Sequence, residues 1–339
     1  MDQKEKNKGL SASIGDYISI ARPDHWFKNV FILPGLIVPF GLSPNIKFPS
    51  VWSFLAGVAS ICLIASSNYV INETLDAPSD KHHPEKRNRP IPSGRVKIPL
   101  AYAEWWLLMF AGLGLAFGVN AGFFWTMVAL WIMGWIYNIP PVRSKDKPFL
   151  DVISEAVNNP LRFLAGWFMV VPPVVAATSG ESTPWWQWFA VSAEIYPPTS
   201  LLISYWAVGC YFMAVKRFAE YRVFEDDTQA LNYRKSFGYY TENKLLVSIM
   251  CYASVTMLFF GAFIARYRLE MVLSFPFVAV FMAIYLGMGL RVGGIVQTPE
   301  KLYKSKLLMA TVLMCVVAMG VTFLIDMNFI ENIFKMTGP

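Results

Sequence analysis

The apolar run Phe54–Ile71, FLAGVASICLIASSNYVI, passes directly into Asn72–Gly94, NETLDAPSDKHHPEKRNRPIPSG. A charge-free run of this length reads as a helix crossing a bilayer. Its continuation interleaves acids with bases, which the end of an oily helix does not require. If the helix persists past the membrane surface, Asn68, Asn72, Asp76 and Asp80, spaced by four, fall on one stripe. Glu73 lies beside them. Pro78 predicts a break near Ala77, with Asp80 arriving from the following loop.

The rest of the chain repeats the apolar theme. Of its 339 residues 55% are hydrophobic and only 15% charged, against about 25% charged in a typical soluble domain. The mean hydropathy is +0.42. Such a chain lacks the polar surface to coat a water-soluble globule. The expected fold is all-α, a polytopic membrane protein with nine transmembrane helices. The spans lie near 27–43, 51–72, 98–118, 121–140, 150–176, 198–219, 244–265, 270–291 and 307–326. Pro34 and Pro39 should kink the first.

Charge sets the orientation. The start, MDQKEKNKGLSASIGDYISI, is polar and has no apolar core of the signal-peptide kind, so the N-terminus is expected in the cytosol. With that orientation, only Lys47, Arg266, Arg268 and Lys335 of the 29 Lys and Arg residues fall outside, and Arg162 falls within a span. Positive charge concentrates on the cytosolic side. The net charge of +6 therefore matches anionic lipid head groups, and no nucleic-acid partner is expected. Trp185, Trp186 and Trp188 in an outer loop read as an interfacial aromatic belt. Cys62, Cys210, Cys251 and Cys315 all sit in apolar runs without a CxxC pair, and read as small buried side chains. No zinc-type spacing of Cys or His occurs.

Carboxylates one turn apart suit a hard cation that takes oxygen ligands, and Mg²⁺ commonly bridges one or two carboxylates to substrate phosphates. The first acidic motif thus reads as a metal–diphosphate site, with Asn72, Glu73, Asp76 and Asp80 as metal ligands. An ordinary solvated helix end with surface ion pairs is the bland alternative. Lys81, Lys86, Arg87 and Arg89 follow closely and are candidate phosphate ligands. Pro84, Pro90 and Pro92 stiffen that loop.

A second motif lies in Tyr137–Trp167, YNIPPVRSKDKPFLDVISEAVNNPLRFLAGW. Asp151 and Glu155 are again four apart, and Asn158, Asn159 and Arg162 continue along much the same face. An ionisable residue inside a span is a functional candidate. Arg162 is expected to meet Glu155, Asp151 or a substrate phosphate, an interhelical ion pair being the structural alternative. Two acidic patches at the cytosolic end suggest a two-sided metal clamp on a diphosphate, with Asp151 and Glu155 as further metal ligands and Arg143 as a further phosphate ligand. Lys216 and Arg217, near Glu220, end span six and are candidate phosphate ligands. Lys28, a further candidate phosphate ligand, follows Arg22, His25 and Trp26 at the start of span one, where Trp26 is expected as a membrane-interface anchor.

These residues resemble a known family. Asn72-Glu73-x-x-Asp76-x-x-x-Asp80 is similar to the N-D-x-x-D-x-x-x-D motif of the UbiA superfamily of intramembrane prenyltransferases, and Asp151 with Glu155 fits its second acidic pair. In both, Glu stands for one Asp. Within the superfamily, four stretches resemble the decaprenyl-phosphate phosphoribosyltransferases: RPxxWxKN (Arg22 to Asn29), HPxKRxRPI (His83 to Ile91), KRxAE (Lys216 to Glu220) and RKSxxxYT (Arg234 to Thr241). The RPIPSGR and YNIPPVR stretches look more like chlorophyll-synthase and archaeal lipid prenyltransferase branches.

The resemblance implies a UbiA-like bundle with Mg²⁺ as cofactor and Asp76, Asp80, Asp151 and Glu155 as catalytic carboxylates. It implies transfer of 5-phosphoribosyl from phosphoribosyl diphosphate to a polyprenyl phosphate. Transfer of an isoprenoid from a prenyl diphosphate to an aromatic or other small acceptor stays open, and a transporter is the remote third reading. The expected layout is a polar tail (1–20), one membrane-embedded transferase domain (21–330) and a short tail (331–339). The expected place is the bacterial inner (plasma) membrane, with the active site toward the cytosol. Self-association into a homo-oligomer is compatible with this fold.

Overall fold

A computed structural model describes residues 13–43, 46–81, 86–171, 196–224, 231, 233–297 and 299–334. Trp185, Trp186, Trp188, His83, Pro84 and most of both expected tails lie outside these residues. Among the described residues there is helix and no strand. The α-helices are α1 (Ile14–Ala21), α2 (Leu33–Leu42), α3 (Val51–Asp80), α4 (Ile98–Phe117), α5 (Ala121–Asn138), α6 (Leu150–Ala156), α7 (Asn158–Val170), α8 (Thr199–Tyr221), α9 (Glu242–Tyr267), α10 (Phe275–Gly289), α11 (Lys306–Leu324) and α12 (Asn328–Phe334).

Among the described residues, six helical segments are long and apolar enough to cross a membrane: Ile14–Leu42, Val51–Asp80, Ile98–Phe117, Glu242–Tyr267, Leu269–Gly289 and Lys306–Leu324. The other three expected spans are helical as well, at α5, at α6 with α7, and at α8. α5 closes on the polar Tyr137 and Asn138, and α8 ends in charge. The fifth span is interrupted: a turn at Val157 parts α6 from α7. Pro160 explains it, because a proline has no N–H to offer the carbonyl four residues earlier, that of Ala156. The face expected to run unbroken from Asp151 to Arg162 is therefore split. The first span also differs from its expectation. Pro23–Ile32 is a 3-10 helix, and the α-helix begins only at Leu33, with Pro39 tolerated inside it.

The chain forms two compact units. The first draws on Met1–Pro39, Ile46–Lys145 and Leu161–Tyr196, and α3 is its centre. Helix α3 packs against α4 and α5 and buries residues on most of its circumference, among them Ser60, Ile64, Ser67 and Ile71. Its small polar residues bond across to neighbours: Ser60 Oγ donates to the Gly112 carbonyl at 2.8 Å and Ser67 Oγ to the Trp105 carbonyl at 3.1 Å. Within a bilayer each such bond contributes about 0.6 kcal/mol. Helices α2 and α7 cross so closely that a Cβ on Gly35 would stand 1.9 Å from the Phe163 carbonyl oxygen, and one on Gly166 2.2 Å from that of Ile32. Only glycine fits at such a crossing.

The second unit draws on Phe40–Asn45, Asp146–Pro160 and Pro197–Pro339. Helices α8 and α9 form its main pair, with α6 against α8. Val152, Cys210, Tyr211, Phe218, Leu245 and Tyr285 are among the side chains that fill its core. The outward faces are apolar: Leu107 and Phe110 on α4, Val247, Met250 and Leu258 on α9, and Leu313 and Val316 on α11 stand exposed. Water would penalise such surfaces and lipid does not. Cys251, expected in the core, stands on that outward face of α9, whereas Cys62, Cys210 and Cys315 are buried. An α9 that is apolar on every side offers its sequence no way to mark which cysteine turns inward.

Candidate functional site

Helix α3 does not break at Ala77. It runs to Asp80 with Pro78 inside its last turns. A proline there removes one backbone bond near the helix end, which little affects the turns before it. The stripe therefore continues, and Asn72 and Asp76 point their oxygens at one cation. Lys145 Nζ lies 2.6 Å from Asp76 Oδ1 and 3.0 Å from Asn72 Oδ1. The same ammonium donates to Asn138 Oδ1 at 2.9 Å. Arg143 reaches the same Asp76 oxygen at 2.8 Å, from a backbone φ of 33°, a left-handed conformation that a residue with a side chain rarely holds without a functional reason.

The turn after α5 makes this convergence possible. Pro140 and Pro141 lie between Asn138 and the 3-10 turn Ser144–Asp146, and the chain folds back so that Asn138, Arg143 and Lys145 all face α3. Lys145 is only 6% exposed. In the sequence it is one basic residue among several in the loop after α5. Its signal was faint: Asn138 and Lys145 flank a Pro-Pro turn.

The remaining residues of the first motif are divided. Asp80 pairs with Arg89 at 2.8 Å and stands 3.9 Å from Lys86. Glu73, expected among the metal ligands, is buried on another side of α3. Its Oε2 pairs with Arg22 at 3.5 Å and its Oε1 accepts the Ile91 N–H at 3.3 Å. Glu73 thus fastens the start of the first span and the RPIP loop to α3. Lys81 and Arg87 are exposed. Lys28 Nζ lies 3.0 Å from His25 Nδ1 and over the Tyr69 ring. Arg162 Nε donates to Asn29 Oδ1 at 3.2 Å, a partner outside those expected for it. Trp26, expected as an interface anchor, donates its indole N–H to Ser66 Oγ at 2.9 Å.

The second acidic motif is built around Arg217, which is 2% exposed. Its Nε donates to Asp151 Oδ2 at 3.0 Å, one terminal nitrogen to Glu155 at 3.0 Å, and the other to Glu220 at 2.7 Å. Lys216 stands 3.7 Å from Glu220. Asp151 is fully buried and also accepts from Ser236 Oγ at 3.3 Å and Tyr240 Oη at 2.5 Å. Arg234 lies 3.4 Å away as an ion pair without hydrogen-bond alignment. Burial, then the negative charge of Asp151, pushes the Tyr240 hydroxyl well above its ordinary range, so Tyr240 stays a donor. Its oxygen in turn accepts the Phe149 N–H at 2.6 Å, where Phe149 holds a φ of 62°. Glu155, about one-third exposed, is the accessible carboxylate of the pair. Tyr240 and Ser236 fall in the RKSFGYYT stretch, whose contribution to Asp151 the sequence alone did not indicate.

Among the described residues no three His, Cys, Asp or Glu side chains are grouped as a metal-binding set. The chemistry of the first patch fits a hard cation nonetheless. Two oxygens of α3 already converge on a positive charge, the Lys145 ammonium, and all the donors are oxygen.

A sequence model of the UbiA prenyltransferase family matches residues 30–301. The chain is 29% identical over 234 residues to decaprenyl-phosphate phosphoribosyltransferase of Mycolicibacterium smegmatis, covering 68% of this chain and 64% of that protein. It is 28% identical to the protein of the same name from Corynebacterium glutamicum, covering 72% and 65%. The chain thus spans slightly under two thirds of those relatives' length. To 4-hydroxybenzoate octaprenyltransferase of Serratia proteamaculans it is 24% identical over 220 residues, covering 64% and 66%. In fold it is similar to a UbiA homologue from Archaeoglobus fulgidus bound to DMAPP and Mg²⁺, with a TM-score of 0.64, 19% identity, and coverage of 91% of this chain and 98% of that one.

Proposed function

Because the chain belongs to the UbiA prenyltransferase family, and is therefore an integral membrane transferase, we propose that it moves a 5-phosphoribosyl group from phosphoribosyl diphosphate to a polyprenyl phosphate, releasing diphosphate. The convergence of Asn72 and Asp76 on one cationic point beside Arg143 carries the diphosphate-site part of this reading. The choice of donor rests on the two relatives at 28% and 29% identity. Asn72, Asp76 and Asp80 would hold Mg²⁺, with Asp151 and Glu155 as the second carboxylate pair. Bound there, the metal would act as a Lewis acid that neutralises charge on the leaving diphosphate.

The chain's own residues do the rest. Arg143, Lys145, Lys86 and Arg89 surround the first motif with positive charge, which stabilises a departing anion. As the bond from ribose C1 to the diphosphate oxygen lengthens, C1 gains oxocarbenium character. An oxygen of the acceptor phosphate then bonds to C1 and the diphosphate leaves with the electron pair. Apolar helices limit water, which would otherwise intercept that carbon. Glu73, through the Ile91 N–H, positions the loop bearing Lys86 and Arg89. We place the protein in the bacterial inner membrane with this site toward the cytosol, following the distribution of Lys and Arg.

The test is a paired assay on the purified chain with Mg²⁺. One reaction holds labelled phosphoribosyl diphosphate and polyprenyl phosphate; the other holds prenyl diphosphate and aromatic acceptors. Product in the first is expected. Product only in the second would establish the alternative reading, prenyl transfer, which the similarity to an octaprenyltransferase favours.

A further inference from the structure

We propose that Lys145 is a resident counter-cation of the first acidic motif, which a metal must displace. Metal and donor diphosphate would therefore enter this site together. The inference rests on the metal–diphosphate reading above and adds an order of events to it.

Lys145 is a loop residue, yet it is 6% exposed and reaches Asp76, Asn72 and Asn138 with one ammonium. Two of those oxygens are the ones assigned to the metal. Arg143 and Lys145 already share Asp76 Oδ1, and a divalent cation at that oxygen would bring a third positive charge within hydrogen-bond reach, with strong repulsion at a partly buried site. Metal entry thus requires Lys145 to leave Asp76. An ammonium moved off its carboxylate in a buried setting needs another anion. The diphosphate of the donor supplies one at the moment the metal arrives. The lysine stem, with four rotatable bonds, can make that swing, whereas a guanidinium in the same place would hold its fork more rigidly. Metal alone should bind less well than metal with diphosphate, because the diphosphate is an anion that receives the displaced ammonium. Metal with diphosphate should bind well.

Mn²⁺ binding to the detergent-solubilised full chain tests this without turnover. Titration followed by the paramagnetic resonance of free Mn²⁺ should show Lys145→Met binding about tenfold or more tightly than wild type in the absence of diphosphate. Lys145→Arg should stay near wild type. Equilibrium dialysis at fixed free Mn²⁺ should show inorganic diphosphate raising the Mn²⁺ held by the wild-type protein, and raising it less in Lys145→Met. Equal or weaker Mn²⁺ binding by folded Lys145→Met overturns the proposal. If that variant does not fold, Lys145→Gln, neutral but still hydrogen-bonding, carries the same comparison. Asp76→Asn separates the two readings. If it binds Mn²⁺ like wild type, the metal site itself is misassigned. If it loses Mn²⁺ while Lys145→Met gains nothing, only the competition fails.

Discussion

Asp76 and Arg217 occupy opposite situations, and their substitutions should fail differently. Asp76 is partly exposed and meets Arg143 and Lys145. Removing its charge as Asp76→Asn keeps the shape and should cost about a hundredfold or more in transfer rate, with the far-ultraviolet circular dichroism unchanged. Arg217 is buried beneath three carboxylates. Arg217→Met removes the cation that Asp151, Glu155 and Glu220 share and leaves the fully buried Asp151 without it, and should destabilise the fold by about 3–5 kcal/mol. A lowered thermal unfolding midpoint in detergent, seen before any assay, is the expected sign. Equal stability of Arg217→Met and wild type would show that Asp151 is held mainly by Ser236 and Tyr240.

At this scale the sequence was readable where spacing speaks. Asn72 and Asp76 share a stripe because four residues make about one helical turn, and that stripe exists. What spacing could not show is which long side chain arrives from elsewhere. Lys145 comes from a loop turned by two prolines, and Tyr240 lies 89 positions from the carboxylate it donates to. Such partnerships are set by the path of the chain, and a single sequence does not encode that path locally.

Among elements, the crossing of α2 and α7 is the tightest point of the first unit. Gly35→Ala places a methyl carbon against the Phe163 carbonyl, and backbone cannot give way as a side chain does. The helices must part, at a cost of about 1–3 kcal/mol. Thermal unfolding should record this, and Gly114→Ala, at a position inside α4 with open space around it, should not lower the midpoint. Helix extents were legible because hydropathy is a local property: α4, α9 and α11 begin and end within a few residues of their expected spans. The errors came from proline. Pro78 was expected to end α3, yet the last turn absorbs it. Pro160, unremarked in the sequence, parts α6 from α7. A proline's effect depends on how many turns follow it and on what packs against the carbonyl it leaves bare, and neither is written beside it in the chain.

For the whole molecule, apolar outward faces and the distribution of basic residues make two separate predictions. Membranes washed with alkaline carbonate should retain the protein, and only detergent should release it; recovery in the wash would contradict the integral assignment. Orientation is checked with alkaline phosphatase, an enzyme active only outside the cytosol. Fused after Gly94 it should be inactive, and fused after Arg268 active. The opposite pattern would invert the topology and place both acidic motifs outside the cell.

The single outward cysteine has a practical use. Cys62, Cys210 and Cys315 are enclosed, so a membrane-permeant maleimide should react at Cys251 alone in the native protein. A fluorophore or nitroxide can then be installed at one defined point on α9, without engineering a cysteine-free background. From there, emission or spin relaxation would report the lipid environment of a wild-type sequence as donor and metal are added.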